Sequence, residues 1–254
     1  MITATMKTFT AYKFFYCTST GQPTTLFVGD EQPLPVGEWL EAKDMWSFVN
    51  PKNGRRYVPS YSNPNRRTAT GKRKNRKTGA SVLIPQDEQV RRHLLEHGFI
   101  RKASAKKVTA LAYRPGFHAC LLPYFPQGGT KRKGSAYGNV HEWNQVCWRI
   151  EVQADRDWTD FARSQPKART ERGKLKWRDA DLDFLPADGF YRYATNPKLC
   201  PQDGEWIVCH RIRIVDPVPQ DECDAVLKAH GLPAQEWEQG RLELSALGLQ
   251  FDGE

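Results

Sequence analysis

The chain has 254 residues with a formal charge of +9, and 26% of its residues are charged. That length allows one core of roughly 150 residues with an appendage, or two small domains, and the first arrangement is expected. No run is long and apolar enough to span a membrane and no apolar leader opens the chain, so a cytoplasmic protein with no membrane partner is expected. The six cysteines contain no C-x-x-C pair, which argues against a zinc ribbon or a redox dithiol and for free, mostly buried thiols.

In chain order, residues 9–17 are rich in aromatics and end in turn-formers, the pattern of a buried strand, with residues 24–28 as its hairpin partner. Residues 33–43 read as a loop leading into a short strand or a single turn that buries Trp39. From residue 50 to 79 the composition turns to Asn, Pro, Ser, Gly, Lys and Arg. So few aliphatic side chains cannot offset the entropy of ordering the segment, which predicts a flexible excursion.

Charge is the strongest signal of this region. Between residues 51 and 107, sixteen Lys and Arg face only Asp87, Glu88 and Glu96, a local charge of +13, so the remainder of the chain carries −4. A field of that size attracts polyanions, with nucleic acid first among them. Candidate phosphate contacts are Arg55, Arg56, Arg66, Arg67, Lys72, Arg73, Lys74, Arg76 and Lys77, with Tyr57 and Tyr61 placed to stack on bases. The expected organisation is one domain over 1–49 and 103–254, interrupted by a basic, partly flexible insertion over 50–102 that holds one helix.

That helix covers residues 85–98, with acids in its first turn, Gly98 at its stop and a stripe of Val90, Leu94 and Leu95. His93 and His97 share one of its faces. Beyond it, a strand ends near Tyr113, and Pro115-Gly116 turns the chain into a second short strand. Alternation there sets Phe117, Ala119 and Leu121 on one face and His118, Cys120 and Leu122 on the other.

Residues 127–138 form a glycine-rich basic loop without the G-K-[ST] of a P-loop. Residues 146–152 alternate well, with Glu151 opposite the apolar face. Residues 155–177 read as a loop with a short helix. Strands follow at 189–195 and 205–215, the second placing Ile207, Cys209, Arg211 and Arg213 on one side. A final helix covers 220–230. The fold class is α+β, mostly antiparallel sheet with a few helices.

The sequence G-F-H-A-C at residues 116–120, following an aromatic first strand and preceding a strand with a lone glutamate, resembles the mono-ADP-ribosyltransferases of the diphtheria-toxin type. Tyr12-Lys13 stands where that family has Tyr-His, and His118 stands where it has an aromatic residue. The resemblance implies an ADP-ribosyltransferase-like fold and NAD as substrate. It also implies Glu151 and His118 as catalytic residues, and Tyr12, Lys13, Tyr113, Arg114, Gly116 and Phe117 as nucleotide-binding residues. A carboxylate at Glu151 would stabilise the positive charge that builds on the ribose as the nicotinamide bond breaks. The acceptor would be nucleic acid or a nucleoprotein complex. The Y-R-P-G-F-H motif also resembles an uncharacterised family of phages and mobile elements. The competing expectation is a non-enzymatic nucleic-acid-binding protein or a phage-type inhibitor whose basic segment is its function.

Overall fold

The computed structural model describes residues 6–17, 21–24, 33–59, 80–124, 145–165, 180, 182–194 and 206–232. In chain order the elements are β1 (Thr8–Cys17), β2 (Pro23–Thr24), β3 (Trp39–Glu41), β4 (Phe48–Asn50), β5 (Arg55–Pro59), β6 (Ala80–Leu83), α1 (Glu88–Glu96), β7 (Lys107–Ala112), β8 (Phe117–Cys120), β9 (Gln145–Gln153), α2 (Thr159–Ser164), β10 (Phe190–Tyr193), β11 (Trp206–Cys209), β12 (Arg211–Pro217) and α3 (Gln220–Ala229). The architecture is α+β, with antiparallel sheets dominating.

Among the described residues, eight strands form the larger sheet in the order β10-β11-β8-β1-β9-β12-β3, with β2 on β1. The hairpin partner of β1 is therefore Pro23–Thr24, and the rest of the expected 24–28 strand lies outside the described residues. Alternation in β1 and β9 sends Ala11, Phe15, Trp148, Ile150 and Val152 into one core with Ile207, Ile212 and Ile214.

This sheet curls. On a flat sheet Phe9 of β1 and Phe190 of β10, three strands apart, would be separated by about 14 Å, yet their ring centroids are 4.8 Å apart. The chain after β9 also bridges to β10 at Asp157 and Phe190. Gly189 makes that approach possible with a φ of +65°, since a Cβ there would lie 1.9 Å from the Arg156 carbonyl oxygen.

The expected single strand over 205–215 is two strands broken at His210. β11 pairs with β8 and β10, whereas β12 pairs with β9 and β3, on the far side of β1. The break also shifts the alternation by one residue, as an irregularity in a period-two element must. Ile207 and Cys209 point into the core as expected, but Arg211 and Arg213 do not accompany them; Ile212 and Ile214 do.

The second sheet has the order β4-β5-β7-β6. α1 packs on one face of it through Leu94, over a core of Phe48, Tyr57, Val82, Ile84, Ile100, Val108 and Ala110. The strands that pair here run from Phe48 to Ala112, so the described part of the segment expected as an insertion over 50–102 is tied into a sheet with residues on both sides of it. Tyr57 is only 5% exposed and belongs to this core, so it is not the base-stacking ring the sequence suggested. An aromatic side chain among arginines has the same local pattern whether it faces solvent or a helix.

The two sheets meet at the Pro115-Gly116 turn. Gly116 takes a φ of +87°, with the Val208 Cγ1 atom 2.6 Å from where a Cβ would stand. The strand-turn-strand is therefore a hand-over from β7 in the second sheet to β8 in the larger one, not a hairpin.

Candidate functional site

The central strands β1, β8 and β9 carry most of the residues singled out in the sequence, and the curl divides them between its two faces. On the outer face Tyr12 of β1 lies opposite Cys120 of β8 and Arg149 of β9. His118 is a diagonal neighbour, and its Nδ1 is 3.2 Å from the Tyr193 Oη. Trp206 stands opposite Cys120 and 6.3 Å from the Tyr193 ring. Tyr12, His118, Tyr193 and Trp206 thus form an aromatic and imidazole patch between two covered regions. α2 and residues around Leu182 pack on one side of it, and α3 packs on the other through Cys223 and Val218. Burial raises the Tyr12 phenol above its ordinary value, and the Arg149 guanidinium beside it pulls the other way. An imidazole within hydrogen-bond distance of a phenol can pass a proton, while Tyr193 is only 4% exposed and belongs to the core around Leu182.

On the inner face Lys13 sits among the core side chains, directly opposite Trp148 in register. Its Nζ donates to the His118 carbonyl oxygen at 2.6 Å. Part of the residue's surface is still open to solvent, but desolvation of the ammonium pulls its pKa from 10.5 to about 8. The neighbouring Cys209 thiol is pushed by burial up to about 12 and donates to the Phe117 carbonyl oxygen. Phe117 is half-buried on this same face.

Lys13, His118, Phe117 and Tyr12 are therefore close along the chain pairing but split between inside and outside. The other expected nucleotide-binding residues are elsewhere. Tyr113 is buried; its hydroxyl donates to Asp44 and its amide to the Arg56 carbonyl oxygen. Burial and the Asp44 carboxylate push the phenol up to about 12. This ring pins the junction between the sheets and does not face a ligand. Gly116 serves the turn, and Arg114 is exposed beside it.

Glu151 does not join His118. Its register partner on β1 is Thr10, whereas Tyr12 is the partner of Cys120. The two side chains are thus offset by about 13 Å along the strands and about 10 Å across them. The Glu151 carboxylate accepts from Arg213 at 2.9 Å through Nε, and from Nη2 as well. Arg213 in turn lies 5.5 Å from the centre of the Trp39 ring. A carboxylate held this way is a cross-strand ion pair, and it stands apart from His118, the other residue that the resemblance implies as catalytic. Sequence reasoning missed Arg149, Tyr193 and Trp206. The alternation of β9 places Arg149 on the same face as Glu151, but nothing local joins Tyr193 to His118, 75 residues away.

Of the expected phosphate contacts, Arg56 is exposed on β5 with its guanidinium 5.3 Å from the Tyr113 ring, and Arg55 is half-buried. Arg66, Arg67, Lys72, Arg73, Lys74, Arg76 and Lys77, with Tyr61 and the 127–138 loop, lie outside the described residues. Among the described residues no three His, Cys, Asp or Glu side chains come together to hold a metal ion, and no helix is long and apolar enough to cross a membrane. Compared with protein-family models, with curated proteins and with solved structures, the chain matches none, so the site rests on its own geometry.

Proposed function

We propose that the protein binds nucleic acid through the unit built from β4 to β7 and α1. The observation that carries this is where the positive charge lies. On the larger sheet three arginines are matched to acids: Arg149 to Asp216 and Glu222, Arg213 to Glu151, Arg211 to Glu41. On the smaller unit Lys52, Arg56, Arg92, Arg101, Lys106 and Lys107 are exposed. Alternation sets Arg56 and Lys107 on the sheet face away from α1, opposite Tyr57, Val108 and Ala110 and beside buried Val58. A rigid sheet presenting cations to solvent suits a phosphate backbone, and its affinity must fall with salt as counterions are released. The test is binding of DNA and RNA across a salt series; affinity that is absent or indifferent to salt would remove the reading.

A second reading is that of an NAD-dependent transferase with an ADP-ribosyltransferase-like fold, acting on nucleic acid or a nucleic-acid-associated target. It is favoured by the meeting of Tyr12, Lys13, Phe117 and His118 on β1 and β8. The ion pair that holds Glu151 away from them weighs against it. Nicotinamide release from NAD decides it. Release lost in Glu151→Ala supports the transferase, release that survives the change removes Glu151 from the chemistry, and no release leaves the binding protein.

A further inference from the structure

We infer that a row of rings beside α1 forms a stacking platform that makes the protein prefer single-stranded to duplex nucleic acid, an inference that rests on the nucleic-acid reading above. Four rings stand in a row on the smaller unit. Trp46 stacks on His93 with centroids 3.6 Å apart and planes 14° from parallel. His93 is 4.2 Å from His97, and His97 is 6.5 Å from Phe99.

Trp46 is 40% exposed although a large aromatic core lies beside it. One of its faces rests on His93, and the ring meets Phe48 at 5.9 Å. An indole left open at this cost in burial is placed for a partner with a flat apolar surface. The charge around it says which. Exposed Lys43 precedes Trp46 by three residues, exposed Arg92 adjoins His93, and exposed Arg101 and Lys102 follow Phe99 by two and three; against these four cations stand exposed Asp44 and Glu96. Rings bracketed by cations match bases strung between phosphates. In a duplex both faces of each base are covered by its neighbours, whereas a single strand can turn a base onto Trp46.

The experiment compares the full chain and its Trp46→Ala and Trp46→Phe variants for binding to a labelled oligo-dT, an abasic strand of equal length and a duplex, at one salt concentration and then across a salt series. The wild type is expected to bind oligo-dT about ten-fold more tightly than the abasic strand. Trp46→Ala should abolish that difference and Trp46→Phe keep most of it. The salt dependence should be the same in all three proteins, because no cation is removed. Equal affinity of the wild type for oligo-dT and the abasic strand, or equal weakening of both by Trp46→Ala, overturns the platform while leaving the nucleic-acid reading intact. Failure to bind any of the three ligands overturns both.

Discussion

Lys13 is the residue at which the core of the larger sheet departs most from apolar packing. β1 turns Phe9, Ala11, Lys13 and Phe15 to the inside, and the ammonium lies 5.5 Å from the Phe15 ring with a carbonyl oxygen as acceptor. Its pKa of about 8 in the folded chain against 10.5 makes stability depend on pH. Between pH 8 and 9 the unfolded chain holds a proton that the folded chain has released, so stability rises with pH, approaching about 1.4 kcal/mol per unit. Above pH 9 the sign reverses for the buried thiols. Cys209 stays protonated up to about 12 while the unfolded thiol ionises, and the gain levels off. Denaturant unfolding through this range should show the rise, and Lys13→Met should abolish it. A variant with the same slope as the wild type would show that Lys13 is already charged in the fold. The sequence marks Lys13 as a cation on a buried strand, but its place inside the curl follows from β11 and β12 pairing on both sides of the central strands.

At the scale of elements, α1 shows how much a local pattern can state. Asp87 caps it, its Oδ1 accepting from the amides of Gln89 at 2.8 Å and Val90 at 3.2 Å. These amides have no partner within the helix, so Asp87→Ala should cost about 1 kcal/mol and Asp87→Asn much less, read by urea unfolding. A loss equal in both variants would mean that charge, and not the cap hydrogen bonds, is what Asp87 supplies. The sequence reads the helix from residue 85 and Leu95 as part of its stripe, whereas Asp87 stands outside the helix as its cap and Leu95 is exposed; the Gly98 stop is legible. So is the alternation of β9, because its inward and outward residues differ in kind. The break at His210 is not. W-I-V-C-H-R-I-R-I-V reads as one strand, and only pairing with opposite neighbours shows that it is two.

Across the whole molecule the chain separates its charge, with +13 on one segment and −4 on the rest. Salt dependence counts phosphates engaged, not any single side chain. Replacing both Arg56 and Lys107 by Gln should lower the slope of log affinity against log salt by about 0.7 to 0.9 for each phosphate no longer neutralised. Arg211→Gln, whose charge already faces Glu41 at 3.8 Å, should leave the slope unchanged. An equal drop in both variants would show that net charge, and not the second sheet, binds the polyanion.

The sequence by itself determined the separation of charge, the faces of β8 and β9, the turn at Pro115-Gly116 and the glycine stop of α1, because each depends on periods and conformational limits that act within a few residues. Tertiary structure alone decided that Tyr57 is core, that Tyr113 pins a junction, that His118 meets Tyr193 and that Glu151 is held by Arg213, 62 residues away. Those pairings depend on which strands become neighbours, and that is settled by how the whole chain buries its apolar faces.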